Sequence, residues 1–354
     1  MAADAQARDA QARDGQWRHL TAGCDDAQYE AIVSDAAPLL VVAGAGSGKT
    51  RVLTRRIARR IADGSASSTH VLALTFTRKA AGELRQRIAA LGLDDPVTAG
   101  TFHAIALAEL RRRAIDRNEA PPVVLGSKAR LLARLLPDRY ALDGGHSTGA
   151  RASGRTDVLA QLANEIEWAK ARCLNPGDYA QAAHDEERAS ALDVDLVVEL
   201  YAAYEREKRK RRVLDVDDLL AALATAIADE PDFAAGQRWR FRHLFVDEFQ
   251  DANPAQLRLL DAWLAGRTDL CAVGDPRQAI YGWNGADLGA IDGFVDRYPG
   301  ATVIHLDANY RSTPQIVAVA RAALAKVAGV GAGVGSAVAG GGSAGAGSAG
   351  AGSA

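Results

Sequence analysis

Apolar residues along this chain alternate between two arrangements. Short, nearly continuous apolar runs occur at residues 38–43 (PLLVVA), 70–75 (HVLALT), 243–246 (HLFV) and 270–273 (LCAV). Runs of that length without a polar alternation predict strands buried on both faces. Residues 50–62 (TRVLTRRIARRIA), after the first run, have helical spacing with their basic residues on the solvent side, and residues 79–91 (KAAGELRQRIAAL), after the second, read as a helix. Strand, helix and strand in succession predict a parallel sheet. Residues 106–205 hold no comparable apolar runs and read as Ala-, Leu-, Arg- and Glu-rich helices, a helical insertion within the α/β unit. A last apolar run stands at 301–306 (ATVIHL), with a helix-period stretch after it.

The two ends have a different character. Residues 4–14 (DAQARDAQARD) repeat a five-residue unit with no apolar face, and residues 329–354 contain only Gly, Ala, Val and Ser. Neither buries enough area to offset the entropy of ordering a backbone, so both are expected to be disordered tails.

Composition narrows the function classes. With 354 residues, 48% of them hydrophobic and 24% charged, the chain can bury a sizeable core. Lys plus Arg number 42 against 44 for Asp plus Glu, so attraction to a polyanion must come from a local patch. Cys24, Cys173 and Cys271 lie far apart in sequence, which argues against a zinc site or a disulfide framework. No apolar run approaches the roughly 18–20 residues of a membrane span, and the N-terminal residues lack a signal-peptide core. A cytoplasmic location without membrane contact is the expectation.

Two motifs carry chemistry. Residues 43–50 read AGAGSGKT, after a strand and at the opening of a helix. The small residues Ala43, Gly44, Ala45, Gly46, Ser47 and Gly48 let backbone N–H groups converge on phosphate oxygens. Lys49 brings a cation to the terminal phosphates and the Thr50 hydroxyl is placed to hold magnesium. Ala43 stands where this pattern usually has Gly. In residues 246–256 (VDEFQDANPAQ), Asp247 and Glu248 follow an apolar strand. An acidic residue at the carboxyl end of a neighbouring strand can orient the metal, and the next carboxylate can activate water. The expected ligand is a nucleoside triphosphate with Mg2+, the metal held at Thr50 and Asp247, with Glu248 as the base.

Six blocks in order, AGAGSGKT, TFTRKAAGELRQRI, AGTFHAIA, VDEFQDANPAQ, VGDPRQAIYGWNGAD and NYRSTPQI, resemble the successive motifs of UvrD/Rep-type superfamily 1 DNA helicases. DDAQYEAI, at residues 25–32, is similar to the glutamine motif that precedes the phosphate loop in that family. The resemblance runs from about residue 17 to 326. It implies a RecA-like P-loop NTPase fold interrupted by an α-helical subdomain, organised as 1–16 tail, 17–105 and 206–300 motor domain, 106–205 insertion, 301–328 truncated start of a second motor domain and 329–354 tail.

The resemblance also implies roles by position. Gln28 reads the adenine edge, Tyr310 stacks on the base, and Arg51 and Arg311 contact phosphates. Gln278 senses the γ-phosphate while Tyr281 and Trp283 present faces for bases, with Asn284 beside them. Thr75, Phe76, Thr77, Lys79, Thr101, Phe102 and His103 line the strand groove. The implied partners are single-stranded DNA or a junction of single and double strands, with a second motor chain or self-association supplying the other domain. The implied activity is ATP-dependent 3′-to-5′ unwinding in repair or replication restart, with weak hydrolysis by this chain alone. A subunit of a recombination nuclease complex and a non-enzymatic scaffold are the other readings. Departures fall at Arg78, Pro276, Arg277 and Asn284, the last replacing a frequent Arg, which puts strand affinity in more doubt than nucleotide binding. The basic run 206–212 (REKRKRR) reads as a solvated helix end.

Overall fold

A computed structural model describes residues 18–93, 95–137, 154–320 and 322–323. Both expected tails lie outside the described residues, except that the helix Arg18–Thr21 follows the first of them.

The first half of the motor unit contains α1 (Asp26–Val33), β1 (Leu39–Ala43), α2 (Lys49–Ala62), β2 (Val71–Thr75), α3 (Arg78–Ala89), β3 (Thr98–Thr101) and α4 (Phe102–Asp116). The helical region follows with β4 (Val123–Val124), α5 (Lys128–Leu135), α6 (Arg155–Ala171), α7 (Tyr179–Asp185), α8 (Val194–Arg211) and β5 (Val213–Leu214). The chain then returns through α9 (Asp218–Asp229), α10 (Pro231–Arg240), β6 (His243–Val246), α11 (Pro254–Leu264), β7 (Leu270–Gly274) and β8 (Thr302–Leu306).

One sheet of order β3-β2-β6-β7-β1-β8 runs through the motor unit, and every neighbouring pair in it is parallel. The apolar runs make this possible. All five residues of β2 and of β7 are buried, as expected where helices cover both faces. One face packs Leu72, Leu244 and Ala272 against α4, α9 and α11. The other packs Val41, Ala73 and Val273 against α1, α2 and α3. Arg56, 1% exposed, fastens α1 to α2 by donating to the carbonyls of Ala31, Ser34 and Ala36 at 2.9, 2.6 and 2.8 Å.

Among the strands, three features differ from the sequence reading. The 301–306 run, expected to open a second domain, pairs as β8 with β1 in the same sheet, with Val41 opposite Ile304. The edge strand β3 (TAGT) was not expected, because small residues give it no apolar period. The short parallel pair β4–β5 closes the base of the insertion, where only helices were expected.

The helical region has its own core, built on Leu131, Leu162, Ile166, Tyr179, Val197 and Tyr204 among others. Its base is tied to α9 by buried charges. Lys170 Nζ lies 2.7 Å from Asp215 and 2.6 Å from Asp218, and Lys208 Nζ lies 3.2 Å from Asp215. Tyr204 donates to Asp215 at 2.8 Å. Lys208 therefore corrects the reading of 206–212 as wholly solvated: it is 2% exposed, while Arg206 and residues 209–212 face water. Glu205, Asp215 and Asp218 converge as a set of metal ligands does, but the two ammonium groups already supply the positive charge.

Burial alone would raise the Asp215 pKa, yet Lys170 and Lys208 hold it well below the ordinary carboxylate value. A depressed carboxylate pKa contributes stability that is complete above the unfolded value, about 3.9, and is lost as pH falls through the folded one. Asp215→Asn should therefore cost about 3 kcal/mol at neutral pH, because it strips charge from a buried pair. Urea melts from neutral to acid pH should show the gap from wild type narrowing only below about pH 4. A gap that closes near pH 6 would contradict this role.

Candidate nucleotide and single-strand site

The phosphate loop follows β1 at the centre of the sheet's carboxyl edge, where open α/β sheets place their ligands. Gly46 and Gly48 have φ of +75° and +86°, a region that glycine enters without strain. They also leave room. A Cβ on Gly46 would lie 2.7 Å from Arg311 Cβ and 2.9 Å from Asn309 Nδ2, and one on Gly48 would lie 3.0 Å from Gln28 Nε2. Ser47 turns inward and donates from Oγ to the Gly44 carbonyl at 2.7 Å. α2 starts at Lys49, so its unpaired N–H groups and the positive end of its dipole face the loop.

A cavity of about 140 Å³ lies over this loop, lined by Gly46, Lys49, Thr50, Arg51, Glu248, Gln278 and Arg311 among others. Residues from both ends of the chain thus meet in one place. Lys49 Nζ is 3.1 Å from Glu248 Oε2, an ion-pair distance, but makes no hydrogen bond to any acceptor. A phosphate oxygen in the cavity would provide the acceptor that the buried ammonium lacks. Thr50 Oγ1 donates to Asp247 Oδ2 at 3.1 Å.

Glu248 sits at φ +55°, a left-handed conformation uncommon for a residue with a side chain, which turns its carboxylate into the cavity. Burial first, and then the Glu248 charge, push both Asp247 and Asp251 up to about 6. Asp251 Oδ1 is buried without a hydrogen-bond partner. Three acidic groups crowded around one lysine, with a threonine hydroxyl beside them, form an oxygen-rich and cation-poor site. That donor chemistry suits a hard divalent ion.

Gln28 and Tyr310 close the side of the loop. Gln28, fully buried, donates to the Ser47 carbonyl at 2.7 Å, and its carbonyl accepts from Arg51. It acts here as a brace for the loop as well as a candidate base reader. Tyr310 donates through its backbone N–H to the Gly46 carbonyl at 2.9 Å and through its hydroxyl to Asp25. Its ring faces the Arg51 guanidinium at 5.9 Å. Asn309 reaches the Ala45 carbonyl, so the segment after β8 rests directly on the phosphate loop.

A second set of residues gathers between the sheet and the helical region. A cavity of about 290 Å³ is lined by Phe76, Thr77, His103, Lys170, Tyr281 and Asn284 among others. Burial lowers the His103 pKa and the Asp217 charge only partly opposes this, so the ring is neutral at physiological pH. Tyr281 and Trp283 are 43% and 65% exposed, with ring centroids 6.3 Å apart. They are therefore surface rings, free to stack. Phe102 requires a correction: it is 1% exposed and packed in the core, with Phe76 tilted against it at 5.6 Å, so it supports Phe76 without offering a face. Thr77 and Thr101 cap α3 and α4 by accepting from Ala80 and Ala104 at 3.1 and 3.2 Å. Thr75 is 1% exposed with its hydroxyl unpartnered, and Lys79 stands exposed on α3.

The two sets are joined by residues that sequence reasoning passed over. Gln250 donates to Glu248 Oε2 at 2.9 Å and accepts from the Asp275 N–H at 2.9 Å. Asp275 in turn accepts from Gln278 Nε2 at 2.6 Å. A Cβ on Gly274 would lie 2.8 Å from Gln250 Oε1, so this glycine permits the close approach. Arg87, in the last turn of α3, also lines the phosphate cavity.

Comparison with known proteins agrees with this geometry. Residues 24–299 match the UvrD/REP helicase N-terminal domain. The chain belongs to the UvrD/REP helicase family. Among its relatives is ATP-dependent DNA helicase UvrD2 of Mycobacterium tuberculosis (strain ATCC 25618 / H37Rv), 38% identical over 328 residues that cover 89% of this chain and 45% of UvrD2. ATP-dependent DNA helicase PcrA of Leuconostoc citreum is 38% identical over 310 residues, covering 86% of this chain and 39% of PcrA. PcrA of Bacillus subtilis (strain 168) is 34% identical over 304 residues, 85% of this chain and 39% of that protein. The chain thus spans less than half the length of these relatives. No helix among the described residues is long and apolar enough to cross a membrane.

Gly46→Ala should strain the loop at φ +75° and push Asn309 and Arg311 off it. The expected result is a melting temperature several degrees lower, about 1 kcal/mol or more, together with at least tenfold weaker ATP binding by calorimetry. Unchanged binding would mean that the Arg311 segment does not contribute to the nucleotide site.

Proposed function

We propose that this chain binds and hydrolyses ATP under the control of single-stranded DNA, as the ATP-side half of a motor that moves 3′ to 5′ along the strand and unwinds duplex at a junction. The reading is supported above all by the hydrogen-bonded run Glu248, Gln250, Asp275 and Gln278, which links the phosphate cavity to the turn carrying Tyr281 and Trp283.

In the mechanism we propose, the γ-phosphate takes the place of Glu248 as the partner of Lys49. The carboxylate, still held by Gln250, is then free to accept a proton from the attacking water. Thr50 and Asp247 would hold Mg2+, which offsets charge on the phosphates when bound. Arg311 and Gln278, which both line the cavity, would meet the terminal phosphate, Arg51 would contact phosphate, and Tyr310 would stack on the base. Because Gln278 is hydrogen-bonded to Asp275, a shift of Gln278 toward phosphate moves the turn that presents Tyr281 and Trp283. Stacking on those rings is worth roughly 1–3 kcal/mol per base and tolerates any sequence, which suits a motor on arbitrary DNA. Translocation needs a second domain that closes on ATP. By itself this chain is proposed to hydrolyse slowly, with the closing domain coming from a longer polypeptide, a second motor chain or another copy.

Two variants test the chemistry. Lys49→Ala should abolish ATP binding measured by calorimetry, whereas Glu248→Gln should bind ATP normally and lose hydrolysis by at least a hundredfold, in line with losing a general base. Normal turnover in the Gln variant would remove Glu248 from that role. For the strand, Tyr281→Ala with Trp283→Ala should weaken oligothymidylate binding at least tenfold while ATP affinity stays unchanged; undiminished strand binding would show that the rings do not touch DNA.

A further inference from the structure

The edge of the sheet opposite the nucleotide site carries a second gathering of charge. There the chain passes from α10 into β6 through residues 237–243 (QRWRFRH), beside the amino end of β2. Gln237 and Phe241 turn inward, 4% and 0% exposed, whereas Trp239 is 60% exposed and Arg242 faces water. Buried neighbours hold the indole outward. Gln237 donates to Glu109 at 2.7 Å and accepts from Trp263 Nε1 at 3.1 Å, and Arg240 donates to Glu109 at 2.7 Å. The Arg242 N–H donates to the His70 carbonyl at 3.0 Å. The Trp239 ring meets the His70 ring edge to face with centroids 4.4 Å apart, and the Arg242 guanidinium lies over it at 5.8 Å.

Arg238, Arg242 and Arg267 gather here, and among the described residues none of them pairs with a carboxylate. Arg238 donates to the Ala262 carbonyl at 3.4 Å, and Arg267 to the carbonyls of Phe241 and Trp263 at 3.0 and 2.9 Å. Those bonds satisfy donors without neutralising charge. The nearby acid, Asp269, is already shared by Arg60 at 2.6 Å and His243 at 2.7 Å. Burial lowers the Arg267 pKa first; Asp269 opposes this in part, and the charges of Arg238 and Arg242 lower it further. The three cations thus crowd one another around an exposed indole, an arrangement that an added negative charge would relieve.

We propose that this edge is a docking surface for an acidic segment of a partner protein, with Trp239 as the apolar anchor, Arg238 and Arg242 pairing with the partner's carboxylates, and Arg267 adding to the field. Charge complementarity selects the occupant: uncompensated cations attract an acidic partner and set its orientation. Trp and Arg are also the residues that most often carry the energy at the centre of an interface. A nucleic-acid strand fits less well. Surfaces that hold one set successive aromatic faces along a basic groove, whereas here a single ring stands with a guanidinium over it. A segment whose acids flank an apolar side chain meets both features, its carboxylates on the arginine forks and its apolar group on the indole. Because the phosphate loop and the aromatic turn lie at the carboxyl edge of the sheet, a partner held here leaves both of them open.

The test uses the full chain and fluorescein-labelled synthetic peptides in which Asp and Glu flank a central Phe, Leu or Trp, read by fluorescence anisotropy. The same peptides with Asn and Gln in place of the acids, and a blunt DNA duplex, serve as comparisons. At least one acidic peptide is expected to bind, more weakly as salt rises, while its amide counterpart does not. Arg242→Glu, at an exposed position, and Trp239→Ala should each weaken that peptide about tenfold, the scale of losing an interface anchor, with ATP and oligothymidylate affinities unchanged. The melting temperature of Arg242→Glu should match that of the wild type. Failure of every acidic peptide to bind, equal binding of acidic and amide peptides, or undiminished binding by Arg242→Glu overturns the inference. So does a duplex that binds more tightly than any peptide and is lost in Arg242→Glu, which would assign the surface to nucleic acid. None of these outcomes bears on the nucleotide and strand readings, which are tested at other residues.

Discussion

The hydrogen bond from Thr50 to Asp247 joins residues 197 positions apart, and the rest of the site depends on the pairing that allows it. Parallel strands of one sheet end at the same edge, so β1, β6 and β7 deliver the phosphate loop, the acidic pair and the Gly274 turn to one place. Nothing in the intervening helical region needs to touch the nucleotide for this to hold. That region has a separate core and meets the motor unit through a buried charge cluster and the close packing of α6 on the turn carrying Trp283, so it can be carried between strands without disturbing their register.

Around that edge the charges are out of balance in an informative way. Lys49 is near one carboxylate and lacks an oriented acceptor, while Asp247 and Asp251 are both raised toward neutrality by burial and by Glu248. A phosphate on the lysine side and a divalent cation on the carboxylate side would relieve both conditions together. Glu248 lies between the two and contacts both Lys49 and Gln250. Its left-handed backbone is consistent with strain retained for function.

Much of this was legible in the chain itself. The apolar runs located the central strands because a two-sided parallel sheet leaves no alternation to misread, and AGAGSGKT fixed the phosphate loop because few other uses require small residues ahead of a Lys at a helix start. What escaped was set by tertiary contact. The TAGT strand has no apolar signal and is defined by its partner β2. Phe102 looks like any groove aromatic until its helix is docked and the ring turns into the core. Gln250 and Asp275 matter through what they touch, and no local pattern marks a glutamine as the bridge between Glu248 and a turn. ATVIHL read as a new domain because it follows the last recognised block, whereas register places it beside β1.

The central claim is that strand and nucleotide are coupled through Gln278. Its most direct test is steady-state ATP hydrolysis by the full chain titrated with oligothymidylate, compared with Gln278→Ala under the same conditions. Coupling predicts saturable stimulation in the wild type and a flat response in the variant, although both proteins bind ATP and strand. A wild-type rate that ignores bound strand, or a variant that is stimulated equally, would contradict it.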